Sequence, residues 1–194
     1  MVNADNAVAL PPQANATGTH SAAIGNVANA SGNFAVALGN SAVSRGIGSV
    51  ATGSGTQATD VSAVAVGNNA AATAAQATAL GLGATASGQN ATALGVQANA
   101  SATNAIALGN GAQASGADSL SIGTGNVVTG ASSGAIGDPN TITGSDSYAL
   151  GNNNTIDANG AFVVGNNVTI AAGLDGAVAL GNDSVVGAST IASY

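Results

Sequence analysis

The side chains able to do acid–base or metal chemistry are few. There is one His (His20), one cation (Arg45) and eight acidic residues, all Asp, with no Cys. General acid–base catalysis needs titratable groups within hydrogen-bond reach of a substrate proton. Here Asp60, Asp118, Asp138, Asp146, Asp157, Asp175 and Asp183 fall at different phases of the sequence and converge on no common edge. Asp118 and Asp146 share a phase but lie two repeats apart, roughly 10 Å if the repeats stack as strands, too far to share a proton or a metal ion. His20 reads as a solvated turn residue and Arg45, just before Gly46, as a lone surface charge. Gly53-Ser54-Gly55 and Gly81-Leu82-Gly83 have the look of phosphate loops, but no helix follows them. The reading is of a chain that is not an enzyme, with no catalytic, cofactor-binding or metal-binding residues. A net charge of −7 with a single Arg cannot replace the counterions of a phosphate backbone, which sets nucleic acid aside.

What would position any functional surface is a period. The phrase Asn104-Ala105-Ile106-Ala107-Leu108-Gly109 recurs along the whole chain. Its closing glycines are Gly25, Gly39, Gly53, Gly67, Gly81, Gly95, Gly109, Gly123, Gly137, Gly151 and Gly165, each 14 residues after the last, with Pro11 in the same phase and Gly181 after a 16-residue step. Such self-similarity is the signature of a solenoid. The 29 Gly and the many Asn, Ser and Thr are poor helix formers, and no apolar run approaches the ~20 residues that cross a bilayer as a helix.

Within a repeat, large aliphatics stand one and three residues before the glycine, as in Val36 and Leu38 or Ile106 and Leu108. Alternation puts them on one face of a strand, and that face is expected to be the inside of the coil. The opposite phase is Ala or Ser four residues before the glycine and mostly Ala two before it. Such a face admits another surface at close range. The favoured reading makes Ala37, Ala51, Ala65, Ala79, Ala93, Ala107, Ala149, Ser49 and Ser147 an interface with other copies of the chain. Alanines that merely fit a tight crossover within one chain are the alternative.

A turn, often with Asn, follows each glycine, since Asn and Gly tolerate left-handed backbone. A second alternating segment then runs as in Ala112-Gln113-Ala114-Ser115-Gly116. Its inward phase includes Ala28, Ala30, Ala84, Ala86, Ala98, Ala100, Ala112 and Ala114; its outward, wet phase carries Asn29, Arg45, Gln57, Thr85, Gln97, Asn99 and Gln113, the candidate ligand surface. Late in the chain the inward residues enlarge to Val128, Ile142, Ile156, Val168, Ile170 and Val186, and Tyr148 and Phe162 are expected to join the core there. The 16-residue step is expected to be a bulge between Ile170 and Asp175.

Ser49-Val50-Ala51-Thr52-Gly53, Ala35-Val36-Ala37-Leu38-Gly39, Ala105-Ile106-Ala107-Leu108-Gly109 and Ser147-Tyr148-Ala149-Leu150-Gly151 resemble the Ser-Val-Ala-Ile-Gly head repeat of trimeric autotransporter adhesins, the YadA-like surface proteins of Gram-negative bacteria. The resemblance covers nearly the whole chain. It implies an all-β fold, a left-handed parallel β-roll of 14-residue coils, with three chains side by side as a homotrimer. It also implies exposure on the bacterial cell surface and attachment to a host extracellular-matrix protein or cell-surface receptor. Residues 1–194 are read as a single head of thirteen coils, with the stalk absent and the membrane reached only through a missing C-terminal anchor.

Four functions compete on the sequence. The first is an adhesin head binding through a multivalent polar surface. The second is a structural spacer that holds another binding domain away from the cell. An ice-binding solenoid would need a Thr array repeated on consecutive coils, and an acyltransferase helix would need a hexapeptide period, of which 14 is not a multiple.

Overall fold

The computed structural model describes residues 4–11 and 13–187. Each coil contributes one strand to each of two parallel sheets. The first sheet has thirteen strands, from Val8–Leu10 to Val178–Leu180, and the second twelve, from Asn15–Ala16 to Thr169–Ile170. Strands pair only with their counterparts in the coils before and after, so Val36 lies beside Val50 and Ala37 beside Ala51, and likewise Gln57 beside Ala71. The result is a parallel β-solenoid of about twelve turns, with no helix among the described residues.

Turn chemistry sets the period. Every repeat glycine from Gly25 to Gly181 has a φ between 113° and 154°, a region that only glycine enters readily. These glycines also stack: a Cβ on Gly109 would run into the carbonyl of Gly123, one coil on. Both turns of a coil also use a residue at φ near 55°, commonly Asn, Ser, Asp or Gly, as at Asn69, Asn104 and Gly111. Their amides bond coil to coil, for example Asn104 N–H to Gln89 O at 2.9 Å and Gly111 N–H to Val96 O at 2.9 Å.

The side chains of the first sheet face the reverse of the expected way. Ala37, Ala51, Ala65, Ala79, Ala93, Ala107, Ala149, Ser49 and Ser147 have no exposed surface and line the interior of the roll. They cannot touch a neighbouring chain. Val and Leu of the other phase point out: Leu80, Leu94, Ile106, Leu108 and Leu150 are among the exposed large hydrophobics. Tyr148 and Phe162 point out with them and do not enter the core.

The reason is volume. Strands of two and three residues joined by tight turns bring Cα atoms of facing strands within 8 Å, inside the ~10 Å spacing of sheets packed through ordinary side chains. Only methyls and small hydroxyls fit that gap. Ala28, Ala30, Ala84, Ala86, Ala98, Ala100, Ala112 and Ala114 of the second sheet are likewise fully buried, and they meet the first sheet's Ala columns in one continuous cluster.

After about residue 126 the interior changes. Val128, Ile142, Ile156 and Ile170 are buried in the second sheet and Val168 just before its last strand, and Val186 packs against their cluster. Buried Asn126, Asn140 and Asn154 stand where Ala112 stood. The Nδ2 of Asn140 donates to Asn126 Oδ1 (3.0 Å) and to Gly151 O (2.7 Å), and its Oδ1 accepts from the backbone N–H (3.1 Å) and Nδ2 (2.9 Å) of Asn154. This ladder satisfies the buried amides, as low-dielectric interiors require. The 16-residue step is absorbed after Ile170, which still pairs with Ile156, and before Asp175, whose Oδ1 accepts from Asn159 N–H at 2.9 Å across 16 residues.

Candidate interaction surfaces

Two broad faces emerge from this arrangement. The outer face of the first sheet is apolar. One column runs Val36, Val50, Val64, Thr78, Thr92, Ile106 and Leu120, and the next Leu38, Thr52, Val66, Leu80, Leu94, Leu108 and Ile122. Leu94 and Leu108 each leave 37% of their surface open. Thirteen strands at a spacing of ~4.8 Å, each three residues wide, make a strip roughly 60 Å by 10 Å, on the order of 600 Å². That is as large as the largest apolar patches monomers leave in water, and such patches commonly serve an interface. Near its far end the strip has local relief: Gly134 is buried because the Tyr148 ring lies over it, and a Cβ there would stand 2.7 Å from the ring carbons.

The outer face of the second sheet is polar. Asn29, Gln57, Thr85, Asn99 and Gln113 occupy one register column, interrupted by Val43 and Ala71. Arg45 is exposed and lies two residues beyond Val43, on the same face. Gln97 is not on this sheet. It is a turn residue with φ 56°, one of the left-handed positions, so the structure separates it from the others. Gln57 and Gln113 are exposed, while Asn29, Thr85 and Asn99 are half-buried between their neighbours.

The third feature is a set of exposed side-chain ladders along the turns. Asn90 Nδ2 donates to Asn104 Oδ1 (3.0 Å), and Asn104 Nδ2 to Asp118 Oδ1 (2.8 Å). Thr143 Oγ1 donates to Asp157 Oδ1 at 2.7 Å. Several of the scattered Asp residues are therefore acceptors in coil-to-coil bonds: Asp138 takes the N–H of Thr124 and Asp183 the amide of Asn167. No group of three or more His, Cys, Asp or Glu residues among the described residues is placed to hold a metal ion.

The sequence signal for the apolar strip was present in the volumes. The small phases of both strands match each other in size, as two walls of one narrow interior must. For the buried Asn ladder the signal was the 14-residue spacing of Asn126, Asn140 and Asn154 itself.

Among known proteins, the model of the YadA head domain repeat (2 copies) matches residues 16–42, 44–70, 58–84 and 86–112. The curated proteins include no match. Beyond residue 112 the coil continues in the same two-sheet register to Val178–Leu180.

Proposed function

This chain belongs to the YadA head domain repeat family, and on that premise we propose that it is the head of a bacterial surface adhesin in which three copies dock through their Val and Leu columns. The apolar strip carries the docking part of this reading. Covering the open third of residues such as Leu94 and Leu108 recovers transfer free energy at ~25 cal/mol per Å². A threefold arrangement turns all three strips toward a shared axis and leaves the polar sheets outside. The interface residues are then Val36, Val50, Val64, Leu80, Leu94, Ile106 and Leu108 in place of the alanines, which stay within each chain.

The polar sheet is the surface such an assembly offers to a host matrix protein or receptor. Its repeating columns suit many weak contacts made at once, where linkage multiplies modest affinities. Replacing Gln57, Gln113 and Arg45 together with Ala tests this: attachment to cells and matrix proteins falls while the assembly persists. Unchanged attachment would favour the spacer, in which the rod only carries another binding domain. In that case, removing two coils in phase would shorten the rod with no loss of adhesion.

A further inference from the structure

The interior of the roll is not uniform along its length. Apart from Gly88, every buried residue from Ala58 to Ala114 is alanine. No polar side chain enters that stretch of interior, so methyl contacts and the backbone ladder alone hold its coils. Hydrogen-bonded interior bounds it on both sides. Before it, Ser44 Oγ donates to Ser49 O (2.9 Å), Ser49 Oγ to Gly46 O (2.7 Å) and Thr56 Oγ1 to Gly53 O (2.9 Å). After it come the Asn126–Asn140–Asn154 ladder and a second one of serines. Ser133 Oγ donates to Gly144 O and Ser147 Oγ to Ala158 O, each at 2.8 Å. The N–H groups of Ser147 and Ala161 donate to Ser133 Oγ (3.1 Å) and Ser147 Oγ (3.0 Å).

The backbone ladder does not offset this difference. Thr85 N–H meets Ala98 O at 2.8 Å among the alanine coils, and Thr155 N–H meets Val168 O at 2.9 Å among the later ones. What changes is side-chain volume: Val128, Ile142 and Ile156 continue the register column of Ala72, Ala86, Ala100 and Ala114. A buried methylene is worth about fourfold in an opening equilibrium, so the three carbons by which Ile exceeds Ala are worth about fiftyfold per coil. Solenoid stability is close to a sum of coil and nearest-neighbour terms, and a run of weak coils then opens as a unit of its own. Fraying from the ends would give the opposite order. Four strands of the first sheet precede the alanine run, from Val8–Leu10 to Val50–Thr52, whereas only Val178–Leu180 follows Ile170.

We propose that the roll is built with a yielding section: the alanine-cored coils, residues 58–114, open together under heat or denaturant while the Val–Ile–Asn coils, residues 126–170, stay closed. The opening stops at Asn126, where the first buried amide and the first large interior side chain, Val128, meet. The device lies inside one chain. It depends neither on what the rod binds nor on how copies dock.

Native-state hydrogen exchange of the whole head, in urea below its unfolding midpoint, tests it. The Ala71 and Thr85 amides, bonded to Ala84 O and Ala98 O, are compared with those of Thr143 and Thr155, bonded to Ile156 O and Val168 O. The first pair exchanges about fiftyfold faster or more, and with a weaker dependence on urea because fewer residues open. Ile142→Val installs the side chain that Val128 already places in this column. It lowers protection at Thr143 and Thr155 about fourfold and leaves Ala71 and Thr85 as they were. Equal exchange in the two sections, or slower exchange among the alanine coils, overturns the proposal. So does an Ile142→Val effect of the same size at Ala71 and Thr85, which makes the roll one cooperative unit. Sedimentation and attachment assays judge the docking and adhesin readings separately.

Discussion

Exchanging the size of two neighbouring residues tests which face of the first sheet is inside. Ala107 has no exposed surface; it lies between Ala93 and Ser121 in its ladder, and the second sheet's Ala100 and Ala114 are equally sealed. Leucine at 107 adds three carbons to an interior without room, at the upper end of the ~1–3 kcal/mol for overpacking or beyond it. Leu108 is 37% exposed, so about two-thirds of its burial belongs to the chain itself. Of the ~1.5–3 kcal/mol for a fully buried Leu, Leu108→Ala then loses about 1–2 kcal/mol in a dissociated chain. The remaining third, about 0.5–1 kcal/mol per chain, is lost only where copies assemble. Hydrogen exchange at the Gly109 amide, which donates to Leu94 O at 2.8 Å, reads local opening directly, and urea unfolding at low protein concentration reads the whole. Ala107→Leu comes out costlier than Leu108→Ala. If instead Ala107→Leu is tolerated and Leu108→Ala costs the ~2–5 kcal/mol of a core truncation, the leucines are inside and the reasoning fails.

Two further perturbations address the ladders. Asn140→Ala removes the acceptor of two Asn154 groups and the donor to Gly151 O; each buried group left unpaired costs ~1–3 kcal/mol, so unfolding shifts by several kcal/mol and the exchange protection of the Asn154 amide collapses. Gly109→Ala puts a methyl against the Gly123 carbonyl at a φ of 138°, and the coils on both sides of it lose exchange protection while coils several repeats away keep theirs.

Much of this architecture could be read before any coordinates. The 14-residue step fixes the coil, the positive-φ glycines mark its corners, and the alternation in Ala112-Gln113-Ala114 assigns the second sheet's inside correctly. The first sheet was harder because alternation says which residues share a face and not which face is in. Val36 and Leu38 look like core by their hydrophobicity, yet a coil this flat has no space for them, and the Ala–Ser phase that looks like a docking surface is what fits. Tyr148 and Phe162 were misplaced for the same reason. The late enlargement at Val128, Ile142 and Ile156 was legible because those residues lie on the second sheet, whose phase was known. The sequence reading did not place Asn126, Asn140 and Asn154 in the interior, since nothing local distinguishes an Asn bonded to its successor one coil away from an Asn facing water. Gln97 was assigned to the polar sheet because it alternates with Asn99, whereas its left-handed φ puts it at the corner.

The proposed assembly requires the apolar strip to be an interface between copies. Sedimentation equilibrium of the head, wild type beside Leu94→Asp/Leu108→Asp, measures that most directly. Both substitutions fall on half-open outward positions, so each chain keeps its strand content by circular dichroism. Three chains are expected for the wild type and one for the variant. A wild-type head that stays a folded single chain at every concentration, with its Val and Leu columns in water, would contradict it.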